Sequence, residues 1–501
     1  MIEDEIKLAV HGPFVLPDLV DPQRGIGAVE SAGSRTLRAT YWDTADLRMA
    51  RNGVSLRHRT GEDGPPWQLK LPVPGSDRAR EELAEQGGPR DVPAALRALV
   101  TGWTRAAVLV PVATLRTDRS VYNVLDAAGD AVAELVDDTV SVLDRRRVVA
   151  RFRELEVERR SADDGTMDWL RDRLVAAGAV EGQFTPKVVH ALGPLATEPS
   201  DLPEPPKLTA GASATAVVGY AMAKGVRRLV AHDAPVRREA PDAVHQMRVA
   251  CRRLRSDLRT FGPVVDPDWA GGLRDELKWL GGSLGAARDL EVLRERVARA
   301  AAADPLAPLD PDAVARIDAV LAEREKHALA EVEAALATDR YPALLERVVE
   351  AARHPAVTAE AARPAEEALT PLVAKAWRKL ERAAGKLAED DPDEDWHQVR
   401  IRAKRARYAA EAVAPALGSD AKRLGSAASS LQDLLGDHQD AVVATEALLG
   451  IASDHPDDIR LVVTCARLAE RERAAARRAR QEFPAAWAKA RRSKNTKWLG
   501  R

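Results

Sequence analysis

The segment IEDEIKL, residues 2–8, places Glu3, Glu5 and Lys7 at alternate positions near the amino end of the chain. A second run, ELEVE at 154–158, repeats this alternation with Glu154, Glu156 and Glu158. Because successive side chains of a β-strand point to opposite faces, each run puts its charges on one face and its apolar residues on the other. Carboxylates that meet inside a sheet repel one another unless a cation lies between them, and hard divalent metals prefer oxygen ligands. The two runs therefore predict a metal-dependent phosphate site.

Further strands between these runs carry mainly positive charges. Alternating runs at 53–59, 67–71, 131–140 and 148–158 predict strands. The basic residues of this region are Arg38, Arg57, Arg59, Lys70, Arg116, Arg119 and, near its end, Lys187, while Glu134 and Asp138 share one strand face. A solvated amphipathic sheet explains the alternation of any single strand. The sorting of acids to the terminal strands and bases to the middle ones instead favours a closed sheet, in which the bases contact phosphate and the acids hold a metal that bridges the same phosphates.

The texture of the sequence changes after a proline-rich segment at 196–211, which we expect to be an extended linker. From 212 to 490, apolar residues recur with helical periodicity, which predicts an all-helical domain. In this domain Asp310 and Pro311 have the pattern of a helix N-cap followed by a first-turn proline. The last residues, 491–501, form a basic tail that we expect to be frayed.

The helical half contains an internal repeat. HQMRVACRRLR at 245–255 aligns with HQVRIRAKRAR at 397–407 at an offset of 152 residues. LGAARDLEVL at 284–293 aligns with LGDHQDAVVA at 435–444 at an offset of 151 residues. Two blocks that match at nearly one offset predict a duplicated helical unit whose halves are related by a pseudo-twofold axis.

The first block of each repeat carries a basic stripe along one helix face. Its members are His245, Arg248, Arg252, Arg253 and Arg255 in the first copy, and His397, Arg400, Lys404, Arg405 and Arg407 in the second. A solvated basic face is the common explanation of such a stripe, but its duplication favours a polyanion site. Arg248 and Arg400 occupy the i+3 positions where a metal-binding histidine would need a further ligand, so a metal at either histidine is disfavoured.

The first 195 residues resemble a CYTH domain of the triphosphate tunnel metalloenzyme superfamily. The resemblance rests on Glu3-x-Glu5-x-Lys7, YWDT (41–44), LRHR (56–59), LKL (69–71), ELEVE and Lys187. It implies an eight-stranded antiparallel tunnel that binds a linear triphosphate with Mg²⁺ or Mn²⁺. It also implies metal ligands at Glu3, Glu5, Glu154, Glu156 and Glu158, catalytic roles for Glu3, Glu5, Lys7 and Lys70, and phosphate contacts from Arg38, Arg57, Arg59, Arg116, Arg119 and Lys187.

Residues 208–490 resemble a CHAD domain through the four repeat segments quoted above. That resemblance implies binding of inorganic polyphosphate in a basic groove. The fold class expected is α+β multidomain, with an N-terminal antiparallel β-tunnel and a C-terminal all-α duplicated helical bundle. The function expected is a metal-dependent inorganic triphosphatase that converts tripolyphosphate to pyrophosphate and phosphate and also binds polyphosphate. Hydrolysis or cyclisation of an organic triphosphate such as thiamine triphosphate or ATP, and a non-catalytic polyphosphate-binding adaptor, remain alternatives.

Composition limits the partners and the location. The formal net charge is −2 although 30% of residues are charged, so anion binding must come from local clustering. Aromatic residues make up 4% of the chain, which leaves few platforms for stacking nucleic-acid bases, and no specific nucleic acid is expected. Only Cys251 and Cys465 are present, so no disulfide framework is expected and a cytoplasmic location fits. Neither a signal peptide nor a membrane partner is expected.

Overall fold

A computed structural model of the protein describes residues 5–73, 80–181, 187–209, 211–303 and 308–500, and the backbone of residues 2–3. The chain divides into two compact units, Met1–Asp201 and Leu202–Arg501. The first is built on an antiparallel sheet and the second is helical, so the predicted fold class is confirmed.

The first unit contains ten strands and four α-helices among the described residues. The strands are β1 (Ile2–Glu3), β2 (Glu5–Val10), β3 (Ala28–Asp43), β4 (Ser55–Thr60), β5 (Trp67–Pro72), β6 (Arg80–Glu85), β7 (Val110–Leu125), β8 (Ala131–Asp144), β9 (Arg147–Arg159) and β10 (Val180–Glu181). The helices are α1 (Ala94–Leu99), α2 (Thr101–Thr104), α3 (Asp164–Ala176) and α4 (Lys187–Leu192). The four strands predicted from alternation correspond to β4, β5, β8 and β9.

The sheet closes through the amino-terminal segment. The strand order is β1-β6-β5-β4-β3-β7-β8-β9-β2-β10, and every pair is antiparallel. β1 and β2 lie one residue apart in the chain, yet β1 pairs with β6 while β2 pairs with β9. Counting β1 and β2 as one segment and leaving β10 outside, eight strands form the ring. The ring is the tunnel that the alternating charges require.

Each face of the tunnel wall has its own packing partner. On the outer face, Leu8 and Leu155 pair across β2 and β9 and pack against Leu170 of α3. On the inner face, Val188 and Val189 of α4 join an apolar cluster with Ala39, Tyr41, Leu115 and Val140. α4 therefore packs at one end of the tunnel interior and brings its first residue, Lys187, to the charged strands.

The second unit is entirely helical among the described residues. Its α-helices are α5 (Ala214–Ala231), α6 (Asp233–Arg237), α7 (Ala243–Thr260), α8 (Pro267–Ala302), α9 (Pro311–Leu336), α10 (Arg340–Arg353), α11 (Ala365–Ala384), α12 (Asp393–Leu417), α13 (Ser419–Asp454), α14 (Ile459–Ala490) and α15 (Ser493–Thr496). The predicted start of α9 is confirmed, since the Asp310 side chain accepts hydrogen bonds from the amides of Asp312 and Ala313.

A reciprocal backbone contact marks the predicted pseudo-twofold relation. The amide of Ala214 donates to the carbonyl of Arg363 at 3.0 Å, and the amide of Ala365 donates to the carbonyl of Ala212 at 2.8 Å. Ala365 and Arg363 lie 151 positions after Ala214 and Ala212, so exchanging the two repeats turns one hydrogen bond into the other. Such reciprocity is the signature of an isologous contact. α8 and α13 are both 36 residues long and start 152 positions apart. The pairs α5/α11, α7/α12, α8/α13 and α9/α14 therefore correspond.

Two expectations about chain segments need correction. The segment 196–211 is not wholly a linker, because the Pro199 carbonyl accepts from Arg51 and Asp201 pairs with buried Arg105, so residues up to 201 belong to the first unit. The tail is not frayed over its described part, 491–500. The Asn495 side chain donates to the carbonyls of Lys489 and Ala490 at the end of α14, which satisfies backbone acceptors and buries α15.

Two global expectations can also be compared with the structure. Cys251 and Cys465 are buried and unbonded to each other, and burial raises the pKa of the Cys251 thiol to about 12. Across the described residues, no helix combines the length and the apolar character that crossing a membrane requires.

Candidate active site and basic groove

Three buried carboxylates converge on the inner face of the tunnel. Asp138 of β8 pairs across the sheet with Glu154 of β9, and Glu156 follows two residues later on the same face. One carboxylate oxygen from each of the three lies within 4.8 Å of the others. Asp138 is fully buried, although the sequence pattern showed only that it shares a face with Glu134.

The ammonium of Lys187 lies among these carboxylates. Its Nζ is 2.9 Å from Asp138, 2.6 Å from Glu154 and 2.8 Å from Glu156. Burial opposes the charged form of this amine, but the carboxylates of Glu156, Glu154 and Asp138 outweigh it and raise the pKa of Lys187. In this structure Lys187 neutralises the acids, whereas the sequence placed it as a phosphate ligand.

Lys7 joins the acids of β2 and β9. Its Nζ is 3.1 Å from Glu5 and 2.8 Å from Glu156. Burial disfavours the charged form of Glu156, yet Lys187, Lys7 and Arg119 together hold the pKa of its carboxyl well below the usual range. Burial raises the pKa of the Glu154 carboxyl, and the nearby carboxylate of Glu156 raises it further. The surrounding cations thus favour the anionic form of Glu156 more than that of Glu154.

A basic wall faces the acids. Arg57 donates to Gln68 at 2.8 Å and to the Tyr41 hydroxyl at 3.2 Å, and Arg119 donates to both oxygens of Asp138 at 2.8 and 2.6 Å. Arg59 pairs with Glu62, and burial together with neighbouring Arg57 lowers the pKa of Arg59 to about 10. Lys70 lies 3.1 Å from Glu82 on the adjacent strand.

Not every predicted residue reaches this group. Arg38 pairs across the sheet with Arg116. Both residues alternate along their strands with residues of the inner face, so they lie on the outer face. There Arg116 is 3.8 Å from Asp118. Positions 116 and 119 are three apart, and two such residues of a regular strand point to opposite sides. The assignment of Arg38 and Arg116 to the tunnel is therefore corrected.

Glu158, one of the predicted metal ligands, has different partners from Glu154 and Glu156. Glu158 pairs with Glu134 in the register of β8 and β9, and Arg160 bridges them at 3.4 and 3.2 Å. Burial raises the pKa of Glu158. The side chain of Glu3 lies outside the described residues.

Sequence reasoning missed the residues that hold the arginines. Tyr41, Glu62 and Glu82 were not singled out, although each contacts a predicted phosphate-binding side chain. Tyr41 lies in the YWDT segment, and Glu82 lies directly opposite Lys70, on the same face of the sheet. The pairing of β3 with β4 brings Tyr41 to Arg57, and the pairing of β5 with β6 brings Glu82 to Lys70. Glu62 instead lies three residues after its partner Arg59.

In the helical unit, the basic helices α7 and α12 lie side by side. The guanidinium groups of Arg252, Arg253 and Arg407 surround the ring of Tyr408, at 5.7, 5.4 and 5.8 Å from its centre. Burial, followed by Arg400, Arg252 and Arg248, lowers the pKa of Lys404 to about 7. Cations from both repeats therefore meet around Lys404, and we call the surface of Arg248, Arg252, Arg400 and Lys404 the basic groove.

The two copies hold their arginines alike. Arg248 is 2.9 Å from Asp289, and its counterpart Arg400 is 3.9 Å from Asp440. Each arginine also passes close to a glycine of the following long helix, Gly285 in α8 and Gly436 in α13. Nδ1 of His397 lies 2.6 Å from Oε1 of Gln439. Asp289 and Asp440 thus occupy equivalent places beside the two arginines.

Other members of the predicted stripe have different surroundings. Arg253 pairs with Asp257 and Glu411, and Arg407 is 2.7 Å from Glu411, so these guanidinium groups are held by acids. Arg405 is exposed and Arg255 is partly exposed. His245 lies near several arginines, and burial followed by Arg288 lowers its pKa.

These features define a class of protein in which a charged tunnel precedes a duplicated basic helical unit. A CYTH domain matches residues 1–189 and a CHAD domain matches residues 220–449. A protein of Mycobacterium tuberculosis (strain CDC 1551 / Oshkosh), named uncharacterized protein MT2285, is 35% identical over 464 residues, covering 87% of this chain and 86% of that protein. The chain belongs to the family in which a CYTH domain is followed by a CHAD domain.

Solved structures similar to parts of the chain include two that align with it at modest scores. PptA from Streptomyces chartreusis is 24% identical with a TM-score of 0.44, covering 55% of this chain and 99% of that one. The CHAD domain from the plant Ricinus communis is 25% identical with a TM-score of 0.41, covering 59% of this chain and 94% of that one.

Proposed function

We propose that the first unit is a metal-dependent triphosphatase that hydrolyses tripolyphosphate to pyrophosphate and phosphate, and that the helical unit binds inorganic polyphosphate. The observation that carries the proposal is the meeting of buried carboxylates and buried cations on the inner face of one closed sheet. Such a site can hold a metal and a phosphate chain together. The buried thiols fit a reducing, cytoplasmic location.

The carboxylates fit a hard divalent cation. Asp138, Glu154 and Glu156 offer three oxygens close enough to share one ion, and Glu5 lies next to them through Lys7. These are the ligand atoms that Mg²⁺ and Mn²⁺ prefer. A bound metal would act as a Lewis acid that polarises a phosphoryl oxygen.

The basic wall suits the chain of phosphates. Guanidinium groups bind phosphoryl oxygens through paired N–H donors, and Arg57, Arg59 and Arg119 present three of them on the inner face. Lys7 and Lys70 add point charges on neighbouring strands. Fixed cations aimed at the negative charge of the reacting phosphate lower the barrier to attack by water.

The helical unit suits a longer polyanion. Cations of both repeats meet around Lys404, and burial together with repulsion by Arg400, Arg252 and Arg248 lowers the pKa of this lysine. A linear phosphate polymer lying across the basic groove would relieve this repulsion at both copies at once.

A substrate panel tests the enzymatic part. Purified full-length protein is incubated with tripolyphosphate, thiamine triphosphate, ATP or long-chain polyphosphate, with and without Mg²⁺ or Mn²⁺, and the products are separated. We expect pyrophosphate and phosphate from tripolyphosphate, and no turnover once the metal is chelated. Glu5→Gln and Glu156→Gln are expected to lower kcat by at least a hundredfold, because each removes a negative charge from the acid cluster. Asp118→Asn, on the outer face of β7, is the matched control and should leave kcat unchanged.

Other outcomes select the alternatives. Cyclic AMP as the main product from ATP would identify a cyclase. Preferred turnover of thiamine triphosphate would move the substrate to an organic triphosphate. Binding of tripolyphosphate without turnover under any metal would favour a non-catalytic adaptor, and full activity of Glu156→Gln would refute the metal site.

A further inference from the structure

A cavity lies within the helical unit, between α5, α7 and α12. It has a volume of about 640 Å³ and is lined by side chains of all three helices. Sites for small ligands in proteins have volumes of about 300–1,000 Å³. This size suits a compact ligand, whereas a long polymer needs a groove that is open at both ends. We call this cavity the α5 cleft.

Positive charge dominates the walls of the α5 cleft. Lys224 and Arg228 come from α5, Arg252 and Arg253 from α7, and Arg407 from α12, against the two carboxylates of Asp257 and Glu411. Among the described residues, neither Lys224 nor Arg228 forms an ion pair; Lys224 lies over the Tyr220 ring and Arg228 donates to Gln246. The Nε of Arg252 is buried, and no hydrogen-bond acceptor for it lies in the described part of the chain. The cleft therefore has more cations than its own acids neutralise.

The two acids hold part of this positive charge in place. Arg253 pairs with both Asp257 and Glu411, and Glu411 also accepts from Arg407 at 2.7 Å. Burial raises the pKa of Asp257 to about 7, which weakens its negative charge further. Arginines held by such pairs lose less side-chain freedom when they bind a phosphate group. The floor of the cleft is thus a preorganised pair of guanidinium groups.

The α5 cleft and the basic groove use largely different residues. Arg248, Arg400 and Lys404, which define the groove, do not line the cleft. Lys224 and Arg228 line the cleft and stand on α5, outside the repeated basic motif. Only Arg252 belongs to both surfaces. The two can therefore be disabled separately.

The cleft is not a by-product of the duplication. At the positions that the repeat relates, Pro371 of α11 replaces Tyr220, Ala409 of α12 replaces Asp257, and Arg259 of α7 replaces Glu411 of α12. The two basic residues of α5 do have basic counterparts. AKGVRRL at 223–229 matches AKAWRKL at 374–380, so Lys375 and Lys379 correspond to Lys224 and Arg228. The two acids and the tyrosine that line the cleft therefore have no acidic or tyrosine counterparts at the repeat-related positions.

We propose that the α5 cleft is a separate site for a short phosphate chain of about triphosphate length, supplied either as free oligophosphate or as the phosphate tail of a nucleotide. Phosphoryl oxygens contact Lys224 and Arg228 at the mouth and the guanidinium groups of Arg252, Arg253 and Arg407 inside. The site goes beyond the proposed polymer binding and does not require it, because the groove residues Arg248, Arg400 and Lys404 are not used.

The test measures tripolyphosphate binding by calorimetry without divalent metal. The full chain carries Arg57→Ala/Arg59→Ala, which weakens binding in the tunnel. We expect one tripolyphosphate per chain, and we expect Lys224→Ala/Arg228→Ala to lower its affinity at least tenfold while changing the affinity for long-chain polyphosphate less than twofold. Lys375→Ala/Lys379→Ala is the matched control on α11 and should leave tripolyphosphate binding unchanged. Arg400→Ala/Lys404→Ala should show the opposite selectivity and weaken only the long chain.

The outcomes separate this site from the proposed function. Tripolyphosphate binding that survives Lys224→Ala/Arg228→Ala, or that falls by the same factor as long-chain binding, would overturn the separate site. If the chain without groove substitutions binds tripolyphosphate but not long-chain polyphosphate, the polymer groove is refuted and the cleft stands. ATP in place of tripolyphosphate distinguishes the sources: equal affinity identifies the phosphate chain as the ligand, and tighter binding of ATP adds a contact to the nucleoside.

Discussion

The ammonium of Lys187, the first residue of α4, lies 2.6 Å from the carboxylate of Glu154 on β9 inside the tunnel. The same ammonium contacts Asp138 and Glu156. A cation carried on α4 therefore occupies the place among the acids where a metal would bind. This relation couples the stability of the first unit to the charge at position 187.

Removing that charge should destabilise the protein. Lys187→Met leaves three buried carboxylates without their shared ammonium, and breaking a buried ion pair costs about 3–5 kcal/mol. We expect a loss of this size in the urea unfolding of the first unit. Added Mg²⁺ or Mn²⁺ should restore more stability to the variant than to the wild type, because the metal then supplies the missing charge. Exposed Lys386→Met is the control, and an unchanged unfolding midpoint in Lys187→Met would contradict the prediction.

Polyphosphate binding should depend on pH through Lys404. The pKa of this lysine is about 7 in the free protein, and a bound polyanion favours the charged amine, so its pKa rises in the complex. Below pH 7 the amine is charged in both states, and the affinity is constant. Above pH 7 binding must take up a proton, so the affinity falls by up to tenfold per pH unit until the pKa of the complex is reached.

The charged groups that face Lys404 are Arg400, Arg252, Arg248 and Asp289. Lys404→Arg keeps its charge at every pH used and should bind with little pH dependence. Titrations at pH 6, 7, 8 and 9 compare the two proteins. Equal slopes would show that another group takes up the proton.

The two repeats should contribute alike to polymer binding. Arg248→Ala/Arg252→Ala and Arg400→Ala/Lys404→Ala each remove two cations from one basic groove, so each should weaken long-chain polyphosphate binding by a similar factor. Each should also reduce the dependence of the affinity on salt, because fewer counterions are released. A large loss for the first pair and none for the second would mean that the second copy only supports the first. Duplex DNA competing as well as polyphosphate would indicate a generic basic surface.

Close packing between α5 and α7 gives a prediction about stability. A Cβ added at Gly225 would lie 2.7 Å from Cγ of Leu254, which is closer than two carbon atoms in van der Waals contact can approach. Gly225→Ala should therefore cost about 1–3 kcal/mol of unfolding free energy through overpacking. The second repeat has alanine at both of these positions, Ala376 and Ala406.

A double variant checks the cause. Leu254→Ala should cost less in the Gly225→Ala background than in the wild type, because the smaller side chain relieves the clash. Gly219→Ala on the same helix is the control, since a Cβ there meets only Pro206 at 4.0 Å, and it should stabilise the helix by about 1 kcal/mol. Additive effects of Gly225→Ala and Leu254→Ala would contradict the packing argument.

Several parts of the site followed from the sequence because they depend on local spacing. Alternation along a strand puts Glu154 and Glu156 on one face, and the same rule applies to Arg57 and Arg59. Helical spacing and the repeat offset likewise brought out the basic motifs around Arg248 and Arg400 and the duplication itself. Neither of these inferences needs a contact between distant residues.

Tertiary structure decided the rest, because strand register and helix docking depend on contacts that no local pattern contains. The pairing of β7 with β8 puts Arg119 opposite Asp138 and Arg116 opposite Ser141. The docking of α4 inside the sheet brings Lys187 to Glu154, and the packing of α5 beside α7 and α12 turns Lys224 and Arg228 into the mouth of a cleft. Sequence by itself thus determined which residues carry charge on a common face, and the long-range packing determined which of those faces meet.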